Sequence, residues 1–141
     1  MRKKYFFVIL FLILAIFLAG CSGGWIVTPT TDEAKIKGVL YDYCLALNDQ
    51  NWSKAKSYCI YGSDVYYSVC VKEDLINTLY SYCNIVTLTY YIDIINIDID
   101  GNYAQVYIYT TSLLTACGYY ETYDKYEYGN LQKVGNSWKL Y

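Results

Sequence analysis

The chain has 141 residues, of which 55% are hydrophobic and 17% charged, and it contains a single Pro and no His. That length suits one domain, and so apolar a composition excludes a disordered tail. Without His, no catalytic triad or dyad that depends on imidazole, no His-ligated zinc site and no histidine pH switch can be built.

Arg2, Lys3 and Lys4 form a basic start, and Tyr5 to Ala19 then run without a charge up to Gly20 and Cys21. The run falls short of the roughly 20 residues that span a bilayer as a helix, so residues 1–20 read as an export signal rather than a permanent anchor. Residues 22–31 hold small residues, two Gly and the only Pro, and read as a tether.

Removal of residues 1–20 would leave eight basic residues against 13 acidic ones and no Arg. Such a surface lacks the phosphate-neutralising patch that nucleic-acid binding needs, so no nucleic-acid partner is expected.

Ordered structure is expected from about residue 31. Thr30 and Glu33 have capping-box spacing, and Asp32 and Glu33 suit the positive end of a helix running to Leu47. Along it Ile36, Leu40, Tyr43, Cys44 and Leu47 recur at three-to-four spacing and should face a core. Asn48 to Asn51 break that helix. Trp52 to Cys59 read as a short second helix with Trp52, Ala55 and Cys59 inward, residues 62–71 as a loop, and residues 72–82 as a third helix with Leu75, Ile76, Leu79 and Tyr80 inward.

From Ile85 the period falls to two and β-branched and aromatic residues dominate, which signals strands. Val86, Leu88, Tyr90, Ile92 and Ile94 share one face, but Ile95, Ile97 and Ile99 continue on the other parity, so a β-bulge is expected near Ile94. Asp100-Gly101 is a hairpin signal, followed by a strand over residues 102–114, a third over 119–134, a turn at Gly135-Asn136 and a last strand from Trp138. The expectation is an α+β domain, three helices packed on a bent antiparallel sheet of about four strands.

Two family resemblances follow from particular residues. Leu18-Ala19-Gly20-Cys21 resembles the lipobox of bacterial lipoprotein precursors. The resemblance implies cleavage before Cys21, lipidation of its sulfur and amino group, and export to the extracytoplasmic face of a membrane, with the membrane as partner. More than one acyl chain gives stable anchoring, because each buried CH₂ adds about 0.8 kcal/mol. Residues 45–55, where Asn48 to Asn51 precede Trp52 and Ala55, together with residues 131–140, where Gly135-Asn136 precede Trp138-Lys139-Leu140, resemble the NTF2-like (SnoaL-like, cystatin-like cone) superfamily. That resemblance covers residues 31–141 and implies a pocket between the concave face of the sheet and the helices.

With Cys21 lipidated, Cys44, Cys59, Cys70, Cys83 and Cys117 remain, an odd number in a compartment where disulfides persist. At most two bridges form. Many pairings satisfy that count; Cys59 with Cys70, closing a short loop between helical segments, is the first expectation and Cys44 with Cys83 the second. The absence of a CxxC pair argues against zinc or a thioredoxin-like role.

Residues 96–101 mimic the start of a calcium loop, but position one is Asn96 and the twelfth is Tyr107 rather than Glu. A strand entering a hairpin explains them, and neither metal nor cofactor is expected. On the third strand Glu121, Lys125 and Glu127 are expected to face water, which turns Asp124 and Tyr126 toward the cone. The expected pocket residues are Tyr43, Tyr90, Thr110, Asp124 and Tyr126, with Tyr91, Tyr107, Tyr109 and Tyr123 on the convex face. By resemblance to NTF2-like isomerases an enclosed Asp124 would be a general base or ligand anchor; the alternative is an Asp124 that is solvated and paired with a Lys.

Three functions stay open. The first is a lipid-anchored, non-catalytic binding or interaction module of the cell envelope, whose partner is a small apolar ligand, an envelope protein or a second copy docked on the convex sheet. The second is a small-molecule enzyme using Asp124, and the third a structural protein whose cone is filled by its own side chains.

Overall fold

The computed structural model describes residues 31–141; the lipobox, Cys21 and the tether lie outside the described residues. Three helices, α1 (Asp32–Asn48), α2 (Trp52–Ser57) and α3 (Asp64–Tyr80), precede four strands, β1 (Val86–Asp100), β2 (Tyr103–Ala116), β3 (Tyr119–Val134) and β4 (Ser137–Leu140). The strands form one antiparallel meander in the order β1-β2-β3-β4. This is the α+β arrangement expected.

Helix α1 starts one residue later than its capping-box reading, because the Thr31 hydroxyl, not that of Thr30, caps it by accepting from the Ala34 N–H at 3.2 Å. Such a cap contributes about 1 kcal/mol. Ile36, Leu40 and Leu47 are buried as their spacing demands.

The reading of residues 62–71 as a loop needs correction. Ser63 caps α3 by accepting from the Tyr66 N–H, and the helix runs through Val65, Tyr66, Tyr67 and Val69. These β-branched and aromatic residues are poor helix formers. Tertiary packing overrides their propensity, because Val69 is fully buried in the main core and Val65 and Tyr66 pack against it. Starting eight residues earlier than expected also fixes which face is inward. Ile76 is buried and Leu79 partly so, whereas Leu75 and Tyr80 are about half exposed.

The sheet is built from three two-residue turns. Asp100 pairs with Tyr103, Ala116 with Tyr119 and Val134 with Ser137, leaving Gly101-Asn102, Cys117-Gly118 and Gly135-Asn136 as the connections. Gly101 and Gly135 take φ of 58° and 61°, the left-handed region that favours glycine. The β1–β2 register shifts between Ile94 and Asn96, so Ile95 is the bulge residue and is half exposed, while Ile94 before it and Ile97 after it both pack on the core. The bulge keeps both halves of a 15-residue strand apolar-side inward.

Parts of both edges of the sheet are covered. Asn48, at the end of α1, donates through Nδ2 to the Tyr90 carbonyl at 3.0 Å and accepts through Oδ1 from the Tyr90 N–H at 2.5 Å. Gln50 and Tyr80 both donate to the Val86 carbonyl. Beyond β4, the Ile60 N–H donates to the Leu140 carbonyl and the Leu140 N–H to the Tyr58 carbonyl. Unpaired strand edges invite intermolecular pairing, and these contacts remove donors and acceptors that would template it.

Ile36, Leu131, Trp138 and Val106 are fully buried in the main core, between α1 and the second half of the meander. Each such side chain stabilises by about 1.5–3 kcal/mol relative to exposure. An ionic clamp locks its rim. Lys133 Nζ contacts both carboxylate oxygens of Asp32, at 3.1 and 2.8 Å, and Trp138 Nε1 donates to Asp32 Oδ1 at 3.2 Å.

The disulfide pairing differs from both expectations. Cys83 is bonded to Cys117, with Cα atoms 5.0 Å apart, and Cys44, Cys59 and Cys70 are free thiols. The β1–β2 register explains the pairing: Val86 is paired with Ala116, so Cys83, just before β1 and buried in a second small core with Ile76, Val86 and Leu88, lies beside Cys117, just after β2. Cys59 is instead held by the α2 backbone, its Sγ against the Ala55 carbonyl.

Two measurements check these contacts. The disulfide closes a loop with a sequence separation of 34, which by chain entropy contributes roughly 3–4 kcal/mol. Reduction, or paired Cys83→Ser and Cys117→Ser substitution, is expected to lower Tm by about 15 °C in calorimetry. The Lys133 and Trp138 hydrogen bonds hold the Asp32 carboxyl below the usual carboxylate range. Its contribution is therefore present above the unfolded-state value of about 4 and is lost as pH falls through the lower folded value. Asp32→Asn should lower stability at neutral pH and flatten the acid limb of a denaturant-midpoint titration; an unchanged acid limb would mean that the clamp does not stabilise the fold.

Candidate functional site

The bent sheet and the helices enclose a cavity of about 420 Å³. Its floor is aliphatic, made by Leu40 and Leu47 of α1, Ile92 of β1, Ile108 of β2 and Leu140 of β4. Polar groups come from three sides: Tyr43 and Cys44 on α1, Asp64, Ser68 and Lys72 on α3, and Thr110, Ser112, Tyr123, Lys125 and Glu127 on β2 and β3.

Each wall follows from local geometry. Tyr43 and Cys44 sit one turn from Leu40 and Leu47 on the stripe of α1 that faces the sheet. Ser68 and Lys72 are four residues apart on α3 and therefore lie on one face, both toward the cavity. Tyr90 is positioned by the two Asn48 hydrogen bonds to its main chain.

The β2–β3 register decides the remaining wall. Ile108 is paired with Glu127 and Thr110 with Lys125, and directly paired residues share a face of the sheet. Buried Ile108 and Thr110 thus bring Glu127 and Lys125 to the concave side. Glu127 Oε1 accepts from the Thr110 hydroxyl at 3.1 Å, and Glu127 is ion-paired with Lys125.

The same register overturns the expected inward face of β3. Asp124 is paired with Thr111 and Tyr126 with Tyr109, so both lie on the outer face. Tyr126 is 64% exposed, and its ring stacks on that of Tyr107 and packs at a tilt against that of Tyr109. Tyr123, expected outside, is at the cavity mouth instead. Of the expected pocket residues, Tyr43, Tyr90 and Thr110 line the cavity; Asp124 and Tyr126 do not. Lys72, Ser68, Lys125 and Glu127 were missed. Counting back by twos from Leu131, through Gly129, reaches Glu127 and Lys125, and that parity is the signal that could have found them.

Burial controls the ionisation of this lining. Desolvation, with smaller contributions from neighbouring Cys, Tyr and Glu127 charges, raises Tyr43 above its ordinary phenol value, and Tyr90 is pushed up to about 12 by the same desolvation. The Cys44 thiol is pushed up to about 12 and that of Cys59 to about 11, mainly by burial, so both are neutral thiols at physiological pH. Lys72 is shifted down, first by desolvation and then by Lys125, against the opposing pull of Glu127. Chemically, the lining offers hydroxyl donors and an ammonium group around an apolar floor. Among the described residues no cluster of His, Cys, Asp or Glu has the arrangement of a metal site.

No family model matches the chain, and no curated protein does. Solved structures do. A putative dehydratase of the NTF2-like family from Streptomyces avermitilis superposes with a TM-score of 0.60 at 11% identity, covering 79% of this chain and 93% of that one. The beta subunit of the benzoate 1,2-dioxygenase of Burkholderia mallei gives 0.58 at 17% identity, covering 80% and 88%. A ketosteroid isomerase-like protein of Erwinia carotovora atroseptica gives 0.55 at 16% identity, covering 76% and 88%. At such identities the likeness speaks to fold alone: residues 31–141 have the NTF2-like fold.

Proposed function

We propose that the chain is a lipid-anchored lipoprotein of the cell envelope whose NTF2-like domain is a non-catalytic binding module for a small molecule with an apolar body. The observation that carries this reading is the cavity of about 420 Å³ with its aliphatic floor and few polar groups, the usual make-up of a small-molecule site. A cone packed solid by its own side chains, as a purely structural role requires, would leave no such space. The enzyme alternative rested on Asp124, which on the outer face is out of reach of anything held in the cavity. The lipobox-like Leu18-Ala19-Gly20-Cys21 supports anchoring and export, and the Cys83–Cys117 disulfide is consistent with an oxidising compartment.

Native mass spectrometry of the protein from an exporting host tests both halves. The expected result is a chain that begins at Cys21, carries lipid, and releases a small molecule on denaturation. Ile108→Trp, which fills the cavity floor, should abolish the bound mass while leaving far-UV circular dichroism unchanged. An empty wild type that takes up no compound from a small-molecule library would overturn the binding role, and an unprocessed, unlipidated chain the anchoring.

A further inference from the structure

Lys72 is the one cavity-lining cation that forms no ion pair among the described residues; Lys125, the other, is paired with Glu127. Its ammonium donates to the Ser68 hydroxyl and lies 6.0 Å from the centre of the Tyr90 ring. A partly buried ammonium normally has a carboxylate close by, because removing charge from water is costly. Here the cavity lies where that carboxylate would be.

Resting on the proposed binding role, we infer that the occupant is a small carboxylic acid with an aliphatic or aromatic body, its carboxylate seated against Lys72 and its body over the aliphatic floor. Several features select this chemistry. Ammonium–carboxylate hydrogen bonds are among the stronger ones available to a protein. The Tyr43 and Tyr90 hydroxyls stay protonated and add neutral donors. Asp64, on the same helix as Lys72, and Glu127, across from it on β3, also line the cavity. With Lys125 they balance the charge of the lining, so no excess positive charge is present to hold a dianion, which favours a singly charged carboxylate over a phosphate monoester. The desolvation and the Lys125 charge that lower the proton affinity of Lys72 are both offset by an anion beside it.

A matched pair of probes tests this, 4-phenylbutyrate and 4-phenylbutan-1-ol, titrated calorimetrically into the full chain from an exporting host, with a blank of the same solubilising lipid discs. The wild type is expected to bind the acid at least about tenfold more tightly than the alcohol. Lys72→Met should remove that preference by weakening the acid while leaving the alcohol unchanged, and Lys72→Arg should restore most of it. If acid and alcohol bind equally and Lys72→Met changes neither, the anion assignment fails while the binding cavity stands. Loss of the acid through Lys125→Met with no effect of Lys72→Met would move the anion to the cavity mouth and overturn the role of Lys72. Binding of neither probe by a wild type that also carries no small molecule on native mass spectrometry would overturn the cavity reading together with this one.

Discussion

The paired hydrogen bonds between Asn48 and the main chain of Tyr90 set the geometry on which the rest of the domain depends. A primary amide offers both donor and acceptor at about the spacing of a peptide group, so Asn48 stands in for a neighbouring strand at the free edge of β1. The contact fixes how far α1 stands from the sheet, and that separation is the depth of the cavity. It also locks the backbone under one of the cavity's aromatic walls. An Asp could accept from the Tyr90 N–H but, ionised, could not donate to its carbonyl, and an Ala could do neither.

The fold was largely legible in the sequence and the site only partly so. The strand ends, the turns and the slip at Ile94 could be read because a change of parity within a run of Ile requires one extra residue on that strand. Residues 62–71 could not, because Val65, Tyr66, Tyr67 and Val69 carry strand propensity and only burial of Val69 against the core turns them into helix. A loop over those residues conceals Ser68, and only the added turns show that Ser68 and Lys72 share a face. On β3 the difficulty was one of assumption. Charged side chains usually face water, yet the register with β2 puts Glu127 and Lys125 on the concave side and leaves Tyr126 outside. The disulfide follows from the hairpin register: pairing β1 with β2 about Gly101-Asn102 sets the residues before Val86 beside those after Ala116, a proximity that attention to the helical segments alone overlooks.

The cavity owes its character to where hydrogen-bonding capacity is already committed. Glu127 is held by Thr110 and Lys125, which fixes one wall. Lys72 makes no ion pair: a neutral hydroxyl and an aromatic face hold it, and Glu127 acts on it only at longer range. An apolar floor below and an ammonium without an ion pair at the side define an amphipathic niche, one that favours molecules with a greasy body and an acidic end over wholly apolar or multiply charged ones.

The three two-residue turns also bear on the order in which the chain folds. Each brings its strands together at almost no loop-closure entropy, so the meander can zip from turn to turn through contacts that are local in sequence. The Asp32–Lys133 contact, in comparison, joins residues 101 positions apart. Docking of α1 onto a preformed sheet is therefore the step that carries the entropic cost.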